Sequence, residues 1–302
     1  GKETEFYESI LLSRGALELF KQLGIRPEII HTNDHHTALA SLYMRSGFGD
    51  YFARPGSIFT IHNIGYQGEY PVEWLPEIGL SNIEPFIVKS GRLNFMATVP
   101  EVILRLGGKG NYINTVSETY AKEIRGTYFE IDRLLQDVSN RFGGILNGID
   151  FEVWNPATDT ALAENYDISK DAIEDIRKAK NINKDVLKKL LSKRGGIQEI
   201  GLVTDKQYGH LGHGHPDRIL VGVVSRLVDQ KQFDILADMI DDIHRGRKER
   251  LGIDLVILGT GEKWLEDDLA ELAGKDSLER TVYVKAFSDK LARMIYAGAD
   301  ML

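Results

Sequence analysis

ILVGVVSRLVDQK, residues Ile219 to Lys231, joins an apolar run to a charged turn. Ile219 to Val224 is an almost continuous apolar run with Gly222 its one small member. A strand buried on both faces of a parallel sheet requires such a run. The turn after it carries Ser225, Arg226 and, beyond Leu227 and Val228, Asp229, Gln230 and Lys231. Open parallel sheets bind ligands at the carboxyl ends of their strands. A guanidinium and an ammonium in one strand-to-helix turn can converge on a single anion, the first as a planar fork and the second as a mobile point charge. Each is worth roughly 4 kcal/mol at about 4 Å from a diphosphate, for an effective dielectric near 20. The competing reading is a solvated basic turn with no ligand.

The 302 residues suffice for two α/β domains. A formal net charge of −8 argues against nucleic acid or an anionic membrane as the main partner, so an anion has to be held by local cations. There is no cysteine, hence no disulfide and no thiolate metal site, which fits a reducing cytoplasm. No apolar run approaches the roughly 20 residues that span a bilayer, and the first residues lack a signal-peptide layout. Gly1 to Glu5 leads straight into a helix pattern, and Ala297 to Leu302 reads as a helix exit and the start of a strand. The chain therefore reads as an internal fragment with both of its domains truncated.

Outward from the opening stretch, strand and helix patterns alternate. Apolar spacing through Ile10, Leu11, Ala16, Leu17 and Phe20 predicts a helix from Phe6 to Leu23, closed by Gly24. Strands are predicted at 28–31, 57–62 and 112–116, and helices at 37–45 and 118–125, the last capped by Ser117. A short strand enters the glycine turn of 143–150, and a charged helix covers about 170–194. Residues 195–218 lose period and read as a long surface loop. Beyond it come strands at 219–225, 254–258 and 281–284 and helices at about 232–248, 263–273 and 288–297. Repeated βα units imply parallel sheets with right-handed crossovers. The domains are placed at 1–143 and 144–302.

Three strand ends of the first block finish in polar residues: His31 to His36, Thr60 to Asn63 and Asn114 to Glu118. Ends of parallel strands lie along one edge, so these can line one site, with Asp34 orienting hydroxyls and His62 donating to a sugar or carbonyl oxygen. A structural, hydrogen-bonded histidine is the alternative. Gly65 to Gly68 is either a mobile loop or a turn. Gly259-Thr-Gly261 opens a helix after a strand but lacks the third glycine of the dinucleotide fingerprint. His210, His213 and His215 have metal-like spacing, but only Asp205 and Asp217 lie near them, and an exposed glycine-rich loop explains them equally. Among familiar hydrolase, ATPase and metalloprotease motifs, none is present.

Six segments occur together in a recognisable order: PEIIHTNDHHTALASLYMR (27–45), FTIHNIGYQGEYP (59–71), INTVSETYAKEI (113–124), GGILNGIDFEVWNPATD (143–159), VVSRLVDQK (223–231) and LVILGTGE (255–262). With these segments the chain, from about Phe6 to Leu302, resembles the bacterial glycogen synthases and plant starch synthases. The resemblance implies a GT-B glycosyltransferase fold of two Rossmann-like domains. In it, 1–143 is the second part of the acceptor-side domain, and 144–302 is the linker with the first part of the nucleotide-sugar domain. It implies transfer of glucose from ADP-glucose to the non-reducing end of an α-1,4-glucan, with retention at the anomeric carbon. No metal or cofactor beyond the donor is implied. The location would be the cytoplasm, or the plastid stroma in a plant.

The resemblance likewise assigns roles. Arg226 and Lys231 match the pair that grips the diphosphate, His62 the histidine against the transferring glucose, and Asn147 the asparagine that contacts a sugar hydroxyl. Asp34 matches the acidic residue of an HDWH motif near the active centre, and Gly259 and Gly261 the nucleotide-binding turn. The chain departs from the pattern in having His35 for the tryptophan of HDWH, Gln232 for the glycine after Gln-Lys, a different segment at 94–110 and a His-rich insertion at 195–218. The family's N-terminal Lys-x-Gly-Gly loop and its C-terminal Glu-containing loop fall outside these residues, so the polypeptide by itself is expected to be inactive. A related transferase using UDP-glucose and a non-catalytic nucleotide- or carbohydrate-binding remnant remain as alternatives.

Overall fold

Contacts divide the chain into two units, Gly1–Gly148 and Ile149–Leu302, each built around its own sheet. The computed structural model describes residues 1–52, 55–106, 110–126, 130–203, 206–212, 218–244 and 252–302. In the first unit the order is α1 (Lys2–Gln22), β1 (Ile29–Asn33), α2 (Asp34–Ser46), β2 (Gly56–Ile61), β3 (Glu69–Pro71), α3 (Glu84–Ile87), β4 (Val88–Lys89), β5 (Arg92–Asn94), α4 (Thr98–Leu106), β6 (Asn111–Thr115), α5 (Glu118–Glu123), α6 (Ile131–Asp137) and β7 (Phe142–Gly144).

The main sheet runs β1-β2-β6-β7, all parallel. Asn33 stands level with Thr60, and Ile61 with Thr115, so these strands stop along one edge. Residue 143 is where the sequence reading ends the first domain. Gly144 pairs with Thr115, and the chain leaves this unit after Gly148. A second, antiparallel sheet, β3-β5-β4, escaped that reading because strands of two or three residues are too short for alternation to register.

The buried face of α1 also differs from the one its apolar residues suggest. Phe6, Ser9, Ser13 and Leu17 are buried, whereas Leu11 is 71% exposed. Helical spacing holds, but two of its core positions are serines, whose small side chains let α1 lie close on α2. Ser9 Oγ donates to the Glu5 carbonyl and Ser13 Oγ to that of His36. Phe6 anchors the helix, its ring 5.2 Å from that of Tyr70 and 5.1 Å from that of Trp74. Burial of such a ring contributes on the order of 2–3 kcal/mol.

The second unit runs α7 (Ile173–Leu191), β8 (Gln207–Gly209), β9 (Ile219–Val224), α8 (Phe233–His244), β10 (Ile253–Leu258), α9 (Lys263–Gly274), β11 (Thr281–Val284) and α10 (Asp289–Gly298). Its sheet order is β8-β11-β10-β9, with β8 antiparallel to β11 and the others parallel. Two strands are buried on both faces, β10 and β11, and β10 shows the arrangement. Val256 and Leu258 face a core with α7 and α10, and Leu255 and Ile257 face one with α8 and α9. β9, from which that role was expected, lies beside β10 with Leu220 and Gly222 buried and Val221, Val223 and Val224 only half-buried. Its apolar run is as continuous as that of β10. The neighbours on each side decide burial.

Residues 195–218 are likewise no plain surface loop. A 3-10 turn at Gly196–Ile200 buries Ile197, Leu211 is fully buried, and β8 adds an edge to the sheet. His210 faces Glu279 at 3.1 Å, whereas Asp205, His213, His215 and Asp217 lie outside the described residues.

Ion pairs tie α7 to this sheet. The buried Asp254 accepts from Lys188 Nζ at 2.7 Å and Arg218 at 3.4 Å, and Lys184 Nζ meets Asp300 at 2.6 Å. Removing one member of a buried ionic group strands the charges of the others. Asp254→Ala is expected to lower stability by about 3 kcal/mol, read as a shift of the urea midpoint. A midpoint unchanged within error would mean that these charges are solvated.

Candidate active site

Two groups of polar residues sit at strand ends, one in each unit. In the first, α2 begins directly after β1, and Asp34 opens it with φ 51°. That left-handed conformation costs a non-glycine residue about 1 kcal/mol, Asp less than most. It turns the carboxylate under the exit of β2, where Oδ1 accepts the His62 N–H at 2.8 Å and the Asn63 N–H at 3.5 Å. The neighbouring amides are met in the same way. Asn63 Oδ1 accepts from Gly65 N at 2.9 Å, and the Tyr120 hydroxyl oxygen from Ile64 N at 3.0 Å. Thr37, expected near the helix start, accepts from Asn33 N and donates to the Asn33 carbonyl.

The structure thus brings Asp34 and His62 together, with Asp34 acting as a clamp on the His62 turn. The exposed His62 ring has Nε2 3.0 Å from Asn33 Oδ1. With Nε2 as donor to that amide oxygen, Nδ1 is left as the free acceptor. The sequence reading had His62 donating. Asn33 takes up one of the two ring nitrogens, a contact that nothing in the spacing signals. Asn147 is exposed in the segment after β7, where Ile145 N donates to the Thr115 carbonyl. Gly65 to Gly68 forms a turn packed on His35.

In the second unit, Arg226 and Lys231 follow β9 and are both exposed, with no acidic partner among the described residues. Lys231 ends a 3-10 turn, and Gln232 after it has φ 55°, ψ 43°. This is the left-handed region in which glycine alone is unstrained.

Gly259 and Gly261 serve the backbone. A Cβ on Gly259 would lie 1.9 Å from the Ser225 carbonyl oxygen, and one on Gly261 1.9 Å from that of Leu227. Without side chains the turn after β10 lies flat against the turn after β9. Leu227 N donates to the Thr260 carbonyl at 3.0 Å and Glu262 N to the Leu227 carbonyl at 2.8 Å. The glycines therefore fix where Arg226 starts.

Glu266, absent from the sequence reading, completes this arrangement. Its Oε1 accepts the Gly261 N–H at 2.9 Å, and its Oε2 pairs with Lys285 at 2.8 Å. Burial alone would raise its pKa, but the Lys285 ammonium and the Gly261 amide outweigh it and hold the carboxyl below its usual value. Its signal was a carboxylate in the first turn of the helix after a Gly-Thr-Gly. Beside these turns lies a cleft of about 350 Å³, walled by Trp154, Ser225, Arg226, Thr260, Phe287 and Tyr296 among others. α8, α9 and α10 all begin at this sheet edge, where helix N-termini favour negative charge.

The family description "Starch synthase catalytic domain" matches residues 2–138. The chain is 33% identical over 303 residues to a glycogen synthase of Thermotoga maritima, covering 97% of this chain and 54% of that protein. With a glycogen synthase of Geotalea daltonii the identity is 36% over 294 residues, covering 95% and 53%. The solved catalytic domain of starch synthase IV from Arabidopsis thaliana, bound to ADP and acarbose, is similar at 29% identity. Its TM-score is 0.76, with 99% of this chain and 56% of that one covered. The chain spans about half the length of the curated relatives it matches. Its α/β architecture is that of the GT-B catalytic domain of starch synthases.

Two measurements probe this geometry. A depressed carboxyl adds stability above its unfolded pKa, ordinarily 4.5, and loses it as pH falls through the lower folded value. Glu266→Gln is expected to remove that part of the acid limb of the stability curve and to lower neutral-pH stability by about 1.5–3 kcal/mol. An acid limb identical to wild type would refute the assignment. Gln232→Gly, by relieving the left-handed strain, is expected to raise stability by about 0.5–1 kcal/mol in urea titration.

Proposed function

We propose that this chain, a homologue of the glycogen and starch synthases over nearly all of its length, carries central parts of a retaining glucosyltransferase. The enzyme would move glucose from ADP-glucose to the non-reducing end of an α-1,4-glucan, without any cofactor besides the donor. The observation that carries the reading is the pair Arg226 and Lys231. Both are exposed and without acidic partners among the described residues in the segment that follows β9, and Arg226 lines the 350 Å³ cleft. The ADP in the starch synthase IV structure supports an adenosine rather than a uridine donor.

In this reaction the bond from the anomeric carbon to the β-phosphate oxygen breaks. A bond from the same carbon to the acceptor 4-hydroxyl oxygen forms, and the hydroxyl proton passes to the oxygen of the leaving diphosphate. Negative charge grows on the leaving diphosphate while the sugar becomes oxocarbenium-like. Cations held in advance at Arg226 and Lys231 act where that charge develops. The glycine-mediated contact between the two turns fixes the backbone on either side of Arg226. In the first unit, His62 Nδ1 accepts from a glucose hydroxyl, Asn147 hydrogen-bonds another, and Asp34 acts through His62 as a positioning residue. The first unit serves the acceptor and the second the nucleotide sugar. No helix among the described residues is long and apolar enough to cross a membrane, and a cytoplasmic or stromal location accords with the soluble substrates.

Lys231→Ala in the natural gene product tests the proposal. Loss of one charge-assisted contact is expected to weaken ADP binding and to cut glucose transfer together, each by roughly ten- to a hundredfold. ADP-glucose should outcompete UDP-glucose in the wild-type protein. Unchanged kinetics in the variant would remove the diphosphate assignment, and preference for UDP-glucose would remove the donor.

A further inference from the structure

His35, which stands where the resembled motif has tryptophan, is buried at 3% exposure, between α1 and the turn of Gly65 to Gly68. Its Nδ1 lies 2.8 Å from the Tyr66 carbonyl oxygen, and its Nε2 2.8 Å from Glu5 Oε1 on α1. A carbonyl only accepts, so Nδ1 carries the hydrogen. In the neutral ring Nε2 then presents a lone pair to a carboxylate oxygen at hydrogen-bond distance. Two acceptors so close need a positive centre between them, either a proton or a metal ion.

His36 favours the metal. Its ring lies against that of His35, centroids 3.8 Å apart and planes at 32°, and its Nε2 is 3.9 Å from the same Glu5 oxygen. One donor atom from each of Glu5, His35 and His36 falls within a span of 4.8 Å. A proton can join two of these atoms, whereas a cation can join all three. Ligands on a tetrahedral zinc at about 2.1 Å stand roughly 3.4 Å apart, inside the range these atoms occupy.

The charges around the cluster are Glu5, Glu8, Asp34 and Glu69 against Lys2, a net negative field. A cavity of about 150 Å³ lined by Lys2, Glu5, His35 and Tyr66 leaves space for a water as fourth ligand. The contact of Nδ1 with a backbone carbonyl is the outer-shell support that metal-bound histidines use. Two imidazoles and a carboxylate suit zinc among common divalent ions.

We propose that Glu5, His35 and His36 form a zinc site that staples α1 to the start of α2 and to the turn of Gly65 to Gly68. The staple lies one residue from Asp34, the clamp of the His62 turn, and is separate from the chemistry of transfer. Zinc titrated into the metal-free chain against a chromophoric chelator tests it, with cobalt(II) absorption as a second readout. One equivalent is expected to bind at this site and to raise the unfolding temperature. Cobalt is expected to give the intense visible bands of a four-coordinate site. His36→Ala and Glu5→Gln, with circular dichroism to verify folding, are expected to lose roughly tenfold or more in affinity and to lose the cobalt bands. His213→Ala with His215→Ala should retain both. Absence of zinc binding would leave a proton between His35 and Glu5 and overturn the proposal. So would an affinity that survives His36→Ala and Glu5→Gln but falls with the His213 and His215 changes.

Discussion

When a parallel strand stops, the amides of the following turn lose their ladder partners, and the molecule is organised around the acceptors that replace them. In the first unit the acceptors are side chains: Asp34 for His62 and Asn63, Asn63 for Gly65, and Tyr120 for Ile64. In the second they are chiefly neighbouring carbonyls, reached only because Gly259 and Gly261 have no Cβ, with Glu266 taking the Gly261 amide. Either way a turn that would otherwise be free becomes rigid, and rigid turns at the carboxyl edge can hold a ligand in a defined position.

This explains why so few of the polar residues at these edges are available to a ligand. Asp34 spends a carboxylate oxygen on backbone, Asn33 occupies one nitrogen of His62, and the glycine pair is absorbed in turn-to-turn contact. What remains outward are His62 Nδ1, Asn147 and the two cations at Arg226 and Lys231. In the first unit the groups left outward suit hydroxyls, and in the second the two cations suit an anion. The strain at Asp34 and Gln232 falls on the residues next to these groups, where a backbone held against its preference fixes direction.

Much of this was legible in the sequence, for physical reasons. The long helices and the strands of both parallel sheets carry period or β-branched runs that no loop would need, and their bounds follow the patterns within a few residues. Legibility failed where an element borrows its stability from neighbours. β8 and the strands β3, β4 and β5 have two or three residues each, too few for a pattern; β8 exists because the edge of β11 was there to pair with, and the other three because they pair with one another. The buried face of α1 includes Ser9 and Ser13, chosen for size over hydrophobicity, so an apolar count selects the wrong stripe. Glu266 and Asn33 were missed because a single carboxylate or amide becomes functional only through the atom it meets.

By itself the sequence determined the α/β class, the alternation behind both sheets, the kinship with glucan synthases and the residues worth watching at each strand end. These depend on local spacing and on short contiguous motifs. What residue order leaves open is that β10 and not β9 is buried on both faces, that Asp34 clamps the His62 turn, that Gly259 and Gly261 let two turns lie together, and that Glu5 meets His35 and His36. Each depends on atoms of segments far apart in the chain coming within a few ångströms, and burial, donor direction and shared ligation are properties of such pairs, which residue order along one segment does not contain.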